Sequence, residues 1–404
     1  MTDRALADTG PAFLVDFTFY LDVLILEHLL HYAGSSNLEV ALVFGVYTLA
    51  YAVLAPLLGR ASDRGGRRRS LLVGALIFAL VPALLALNLD LAPGAEGVVV
   101  RARALALAPA AYLGIATLAL ANGLFWPALQ ARIGDRAAGP AERARRIRRF
   151  NVAWTCGKAS GVLVAAAWLV RAPSTCLPAA ALLGGLVWLL LWRDGQADTG
   201  AGPAPSAPAT VEPPVEERPQ HAKRPFLVAG LVANFAVWAA VSTFVSLAPK
   251  IGEHYGLGPL LEGVVLGACL GAQGLAFLAL GAARRWAYRW PLLLASCPLA
   301  ALGLAAVVWA DRCGPTAALC VLGAVCVGAA QAVTYAASVF YSLDYDERRG
   351  MRTGVHEATL ALGGALPLLG GFLADATGDV RSALLLGLGV CAAASLGVAL
   401  ARVR

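Results

Sequence analysis

Twelve stretches of this chain are apolar over a length able to cross the roughly 30 Å of hydrocarbon in a bilayer, and that recurrence leaves few folds open. They lie near 11 to 32, 38 to 58, 70 to 89, 105 to 130, 150 to 170, 175 to 192, 226 to 248, 259 to 281, 291 to 310, 316 to 342, 353 to 374 and 382 to 401. Backbone inside hydrocarbon must satisfy its own N–H and C=O groups, so runs of this length are expected to be helices. With 59% hydrophobic residues, 14% charged residues and a mean hydropathy of +0.70, a soluble domain is excluded. The expected class is an all-α polytopic membrane protein.

The net charge of +7 could suggest nucleic acid, so the placement of the positive residues decides its meaning. With the N-terminus inside and the loops assigned alternately, 25 of the 32 lysines and arginines fall on the cytoplasmic side, six outside, and one, Lys158, within a helix. That asymmetry places both termini in the cytoplasm and makes the basic charge a matter of topology. No nucleic-acid partner is implied. The eight cysteines sit in or beside apolar runs without C-x-x-C or ligand spacing, and read as small core residues. The first run carries Asp16, Asp22 and Glu27 and no small-residue cleavage site, so it reads as a retained helix rather than a signal peptide.

One long polar stretch, 193 to 225, is rich in Pro and Ala and divides the chain into a six-helix bundle over 1–192 and another over 226–404. The halves echo one another. Asn122-x-x-x-Trp126 and Asp135 recur 209 positions later as Gln331-x-x-x-Tyr335 and Asp344. Tyr47, Tyr51 and Gly59 map, 222 positions on, to Cys269, Gln273 and Gly281, followed by Arg284 and Arg285. Asn151, Gly157 and Gly161 map, 206 on, to Glu357, Gly363 and Pro367. Three echoes in order indicate internal duplication.

Between the second and third runs stands Gly59-Arg60-Ala61-Ser62-Asp63-Arg64-Gly65-Gly66-Arg67-Arg68-Arg69. Five arginines cannot enter hydrocarbon, which fixes this hairpin at one membrane face. As G-x-x-x-D-R-x-G-R-R-R it resembles, position for position, the loop between helices 2 and 3 of the major facilitator superfamily of secondary transporters. The resemblance implies two pseudo-symmetric six-helix bundles. It also implies a cavity lined by helices 1, 4, 7 and 10, flanked by 2, 5, 8 and 11, with 3, 6, 9 and 12 facing lipid. The near absence of polar residues from those last four runs agrees. Carried over to this chain, Gly59, Asp63, Arg64, Gly66, Arg67 and Arg68 would form a cytoplasmic gate, with Asp63 docking near Thr353 to Glu357 when the inner side is closed.

Lys158 lies mid-helix, where a charge costs on the order of 2.5 to 3.5 kcal/mol, and shares a face with Asn151, Trp154 and Thr155. It would attract an anionic substrate group or pair permanently with an acid. Asp16, Tyr20 and Glu27 share one face of the first helix, and Asp22 points about 120° away. Asp16 or Asp22 could bind and release a proton, or hold Lys158. Glu357, beside His356, could couple protons, close a gate, or favour its helix dipole. Glu27-His28-x-x-His31 is read as a wet helix end rather than a metal site. Tyr20, Tyr47, Tyr51, Asn122, Trp126, Asn234, Trp238, Gln273, Gln331, Tyr335 and Ser338 complete, with Lys158, the expected substrate cavity.

The resemblance and these residues point to a multi-pass protein of the cytoplasmic (inner) membrane that moves a small solute, an anionic one if Lys158 binds it, by alternating access. It is expected to be a monomer, with a small-molecule substrate and the bilayer as partners and no cofactor or metal. A drug or metabolite exporter using proton antiport is the alternative; the helix-5 glycines are followed by Val162 rather than proline, which weakens it. A non-transporting sensor on the same scaffold is a third reading. No hydrolase or phosphate-loop motif supports an enzyme.

Overall fold

The computed structural model describes residues 2–94, 97–136, 140–198, 219–282, 286–345 and 349–403. Among them twelve long helices carry the chain: α1 Thr2–Tyr32, α2 Asn37–Gly65, α3 Arg67–Asn88, α4 Leu107–Asp135, α5 Pro140–Arg171, α6 Pro173–Asp198, α7 Gln220–Ser246, α8 Pro259–Ala282, α9 Trp290–Val308, α10 Thr316–Tyr345, α11 Arg349–Thr377 and α12 Arg381–Val403. Eleven, α2 to α12, are long and apolar enough to cross a membrane. α1 has the length, but three of its acids, Asp16, Asp22 and Glu27, interrupt the apolar run. It tolerates them because it is packed in protein, with nearly every residue from Ala12 to Leu30 buried. α6 and α7 both run into the stretch expected to be linker, whose residues 199–218 lie outside the described part, as do Arg284 and Arg285.

The packing is duplicated. In the first half α1 lies on α5 and α6, α2 on α4, and α3 on α4 and α6. In the second, α7 lies on α11 and α12, α8 on α10, and α9 on α10 and α12. Adding six to each index converts one set into the other, and it exchanges the two main contacts between halves, α2 with α11 and α5 with α8. Small residues make these approaches possible. A Cβ on Gly157 or Gly161 would strike the α1 backbone at Phe13 or Phe17, and one on Gly363 would strike the α7 backbone at Phe235. Gly157 and Gly363 are the pair matched in the sequence echo. One contact departs from the symmetry: α7 packs closely on α10 while α1 barely touches α4.

α3, α6, α9 and α12 present exposed leucines, among them Leu80, Leu84, Leu182, Leu186, Leu302 and Leu396. This agrees with a lipid-facing role.

Both described termini and the 59–69 hairpin lie at one end of the bundle, called the hairpin end; the other is the distal end. At the hairpin, Gly66 adopts φ +92°, a conformation that side chains disfavour, so α2 reverses directly into α3. At the distal end α2 opens with a capping box between Ser36 and Glu39. α3 and α4 are joined by an unforeseen antiparallel pair, β1 Leu89–Gly94 and β2 Gly97–Ala102, in register from Leu89 opposite Ala102 to Gly94 opposite Gly97. Val98, Val99 and Val100 suit an extended strand.

Candidate functional site

A cavity of about 610 Å³, part of it open to solvent, lies between the halves. α1 contributes Asp16, Phe19 and Tyr20, and α2 contributes Tyr47, Thr48 and Tyr51. α4 adds Trp126 and Gln130, and α5 adds Phe150, Trp154 and Lys158. From the second half come Trp238 of α7, Tyr335 of α10, and Glu357, Leu360 and Ala361 of α11. Among the described residues, α3, α6, α8, α9 and α12 contribute nothing to its lining. Nine of the lining side chains are aromatic, packed as neighbours: Tyr47 stacks on Tyr51 at 5.7 Å, and Trp154 meets Tyr335 at 5.4 Å.

Lys158 is 3% exposed, and its ammonium lies over three rings, 4.9 Å from Tyr20, 4.4 Å from Trp154 and 4.5 Å from Trp238. Among the described residues it forms no ion pair with a carboxylate. The permanent lysine–acid pair that the sequence left open is therefore not the arrangement present. Asp16 and Glu357 share the cavity, near enough for their charges to act on the lysine. Glu357 accepts hydrogen bonds from the Tyr51 hydroxyl at 3.3 Å and from the Gln130 side chain.

Seven of the twelve expected cavity residues line it: Tyr20, Tyr47, Tyr51, Trp126, Lys158, Trp238 and Tyr335. The other five are buried behind it and engaged in packing. Asn122 accepts from the Trp126 indole N–H and donates to the Leu118 carbonyl, so it fixes the indole from behind. Gln331 donates to Asn234 at 3.3 Å, tying α10 to α7, and Gly230 lets α7 close on Ser338. Ser338 is spent on His356 Nδ1 at 2.8 Å. Gln273 is fully buried on α8, off the cavity.

Of the expected coupling acids, Asp16 and Glu357 reach the cavity. Asp22 does not; it is fully buried with neither oxygen hydrogen-bonded. The reading of Glu27 as part of a wet helix end is corrected: it is 0% exposed, because the start of α8 and the short helix Ala248–His254 cover that end of α1. His28 Nε2 lies 3.2 Å from Glu262 Oε1, and no group of three metal-ligating side chains occurs among the described residues.

Sequence reasoning missed Gln130, Phe19, Thr48 and Phe150. Gln130 was within reach, since Asn122, Trp126 and Gln130 recur every four residues along one helix stripe.

At the distal end the halves are joined. Asp375 of α11 accepts from the Asn37 N–H (2.8 Å), the Asn37 side-chain amide (2.8 Å) and the Leu38 N–H (2.9 Å), capping α2 across the seam. At the hairpin end, Asp63 is 65% exposed and, among the described residues, pairs with Arg67, one turn on, at 3.7 Å. Gly59 lies against Pro127, Arg68 donates to the Trp192 carbonyl, and Arg64 is exposed. The α5–α8 contact persists there, Arg148 donating to the Gly281 carbonyl at 3.3 Å.

A family model described as Major Facilitator Superfamily matches residues 12–366. No curated protein matches by sequence. Among solved structures, the fold is similar to a bacterial homologue of the human lysosomal transporter Spinster in an inward-facing, occupied conformation, with a TM-score of 0.70 and 15% identity over 99% of this chain and 96% of that one. The nucleoside transporter NupG is similar at a TM-score of 0.68 and 12% identity over 98% of each chain. The unoccupied inward-facing form of the Spinster homologue gives 0.62 and 16% over 99% and 92%.

Proposed function

This chain belongs to the major facilitator superfamily, and from that premise we propose that it is a secondary active transporter of a small organic anion, working by alternating access and coupled to protons. One observation carries the reading: a lysine ammonium held in the cavity by aromatic rings, with no carboxylate bound to it. Rings stabilise the charge while leaving N–H donors for a ligand, and an acidic group on the solute supplies the missing counter-charge. The nine aromatic side chains suit a flat or apolar solute body. Asp16, Glu357 and Lys158 carry a net charge of −1 with both acids ionised and +1 with both protonated. Proton uptake and anion binding therefore favour one another, which is the logic of symport.

The positive-residue asymmetry supports cytoplasmic termini in the inner membrane, with residues 1–192 and 226–404 rocking as bundles about the cavity. On that topology the cap that Asp375 places on α2 would lie at the outer face.

The cavity also favours a second reading. Two carboxylates among nine aromatic rings could bind a lipophilic cation that displaces protons, giving antiport and export. A thermal-shift screen of organic anions and lipophilic cations at two pH values separates the two, since a ligand at one hundred times its Kd stabilises by roughly 2.7 kcal/mol. Stabilisation by anions that is strongest at the lower pH and lost in Lys158→Ala supports the anion site. Stabilisation by cations that survives Lys158→Ala sinks it. Binding without flux in proteoliposomes would leave a sensor.

A further inference from the structure

The distal seam is held in two chemically different ways. On one side is the helix cap that Asp375 places on α2. On the other, where α1 of the first half meets α8 of the second, stand Glu27, His28 and Glu262, respectively 0%, 1% and 5% exposed. His28 Nδ1 bonds the Leu24 carbonyl at 2.9 Å, which directs Nε2 across the seam to Glu262. Glu27 lies beside this pair with both oxygens unpartnered, and the charge of Glu262 acts on it.

Two carboxylates and one imidazole cannot be sealed from water with both acids ionised, because one positive charge balances only one negative. The low-energy sealed form has an imidazolium–carboxylate pair between His28 and Glu262 and a neutral, protonated Glu27. We propose that Glu27, His28 and Glu262 form a proton-binding site that closes the distal end, so that sealing this seam takes protons from solution. The site is separate from the cavity and does not depend on which solute the cavity holds.

The proton count follows from ordinary side-chain behaviour in water. In water a glutamic acid side chain is ionised above about pH 4.3 and a histidine is neutral above about pH 6.5, so hydrating the parted seam releases the protons it held. The sealed form thus holds about two more protons than the open form near pH 8 and about one more near pH 5.5. The sealed-to-open ratio should fall by up to about a hundredfold per pH unit in the upper range and about tenfold in the lower. Acidity favours the sealed seam. The other titratable groups coupled to the cluster are Tyr20, His31 and Tyr32 on α1, and His31 in turn feels Lys250 and Glu253 on the short helix Ala248–His254. His31 and Glu253 are 3.8 Å apart, and Glu253 is largely exposed, so that pair adds little to the sealed count.

The test is amide hydrogen exchange on the full chain in lipid nanodiscs from pH 5.5 to 8.5, with exchange times scaled for the intrinsic pH dependence. The reporters are the Asn37 and Leu38 amides, whose hydrogen-bond acceptor lies across the seam. Their protection should fall steeply as pH rises. Glu27→Gln, a permanently neutral mimic of the protonated acid, should lose one proton from that dependence, being flat in the lower range and about tenfold per unit in the upper. Glu262→Gln, which leaves His28 without its counter-ion, should weaken the upper-range dependence. Asp375→Asn should lower protection at every pH without changing its slope. Protection in the unmodified protein that does not change with pH overturns the proposal, as does a Glu27→Gln slope equal to that of the unmodified chain.

Discussion

The ammonium of Lys158 and the indole of Trp238 face each other at 4.5 Å across the boundary between the two halves, the lysine on α5 and the ring on α7. Tyr20 and Trp154 complete the cage from the first half. A charge at membrane depth costs on the order of 2.5 to 3.5 kcal/mol, and a desolvated cation–π contact returns about 2 kcal/mol or more at best. Three contacts are thus of the right size to offset the cost without an acid. Because Trp238 belongs to the other half, rocking of the bundles alters this balance and with it the pull of the lysine on an anion.

Trp238→Leu should accordingly keep the fold but weaken anion binding by about 2- to 30-fold, the equivalent of one such contact. Lys158→Arg should not preserve binding, since a planar guanidinium does not fit a cage shaped to a compact ammonium. Titration of ligand-induced thermal stabilisation in detergent checks both. Full affinity in Trp238→Leu would show that the ring is only a wall.

The architecture was legible in the sequence because hydrocarbon imposes a length on every crossing and expels every arginine. The duplication was legible for a similar reason: Gly157 and Gly363 cannot carry a side chain where helices touch backbone to backbone, so the pair survived in register. The site was half legible. Tyr47, Tyr51 and Lys158 line the cavity, but Asn122, Asn234 and Gln331 do not, because an amide on a cavity helix satisfies itself as readily against the next helix as against a ligand. Glu262 escaped notice altogether. Its importance comes from a partner, His28, 234 positions away.

The glycine contacts lead to a paired prediction. Gly161→Ala on α5 and Gly363→Ala on α11 each place a methyl group against rigid backbone, at Phe17 and Phe235. Each should destabilise by about 1–3 kcal/mol, as overpacking does. Gly185→Ala, where nothing lies within 4 Å, should be neutral or slightly stabilising. Melting temperatures of the three variants test this, and equal values would deny that the helices approach this closely.

Asp375 offers a different handle, since its carboxylate satisfies amides of the opposite half. Asp375→Ala should remove about 0.5–2 kcal/mol of capping from the distal-sealed state alone. The sealed population should drop by about 2- to 30-fold, with little change in the stability of either bundle. Labelling of a cavity thiol introduced at Thr48, using a membrane-impermeant reagent added to the distal side, should speed up correspondingly. An unchanged labelling rate would mean that the cap forms in both states.

The two cavity acids decide whether transport follows protons. With Asp16 and Glu357 ionised, the cavity repels an anion despite Lys158; each proton added removes one negative charge, so anion uptake should rise as pH falls. Asp16→Asn leaves Lys158 opposed by Glu357 alone, which raises the net charge by one at any pH where Asp16 was ionised. Anion binding should then strengthen at high pH and lose part of its pH dependence, while accumulation driven by a proton gradient collapses toward equilibration. Glu357→Gln should act in the same direction while its amide oxygen still accepts from the Tyr51 hydroxyl, which now donates to Glu357 at 3.3 Å. Counterflow and gradient-driven uptake in proteoliposomes distinguish the two effects: exchange persists while accumulation fails. If both variants still concentrate the anion, protons are coupled elsewhere in the molecule, and the cavity acids serve only to hold Lys158 and the tyrosines in place.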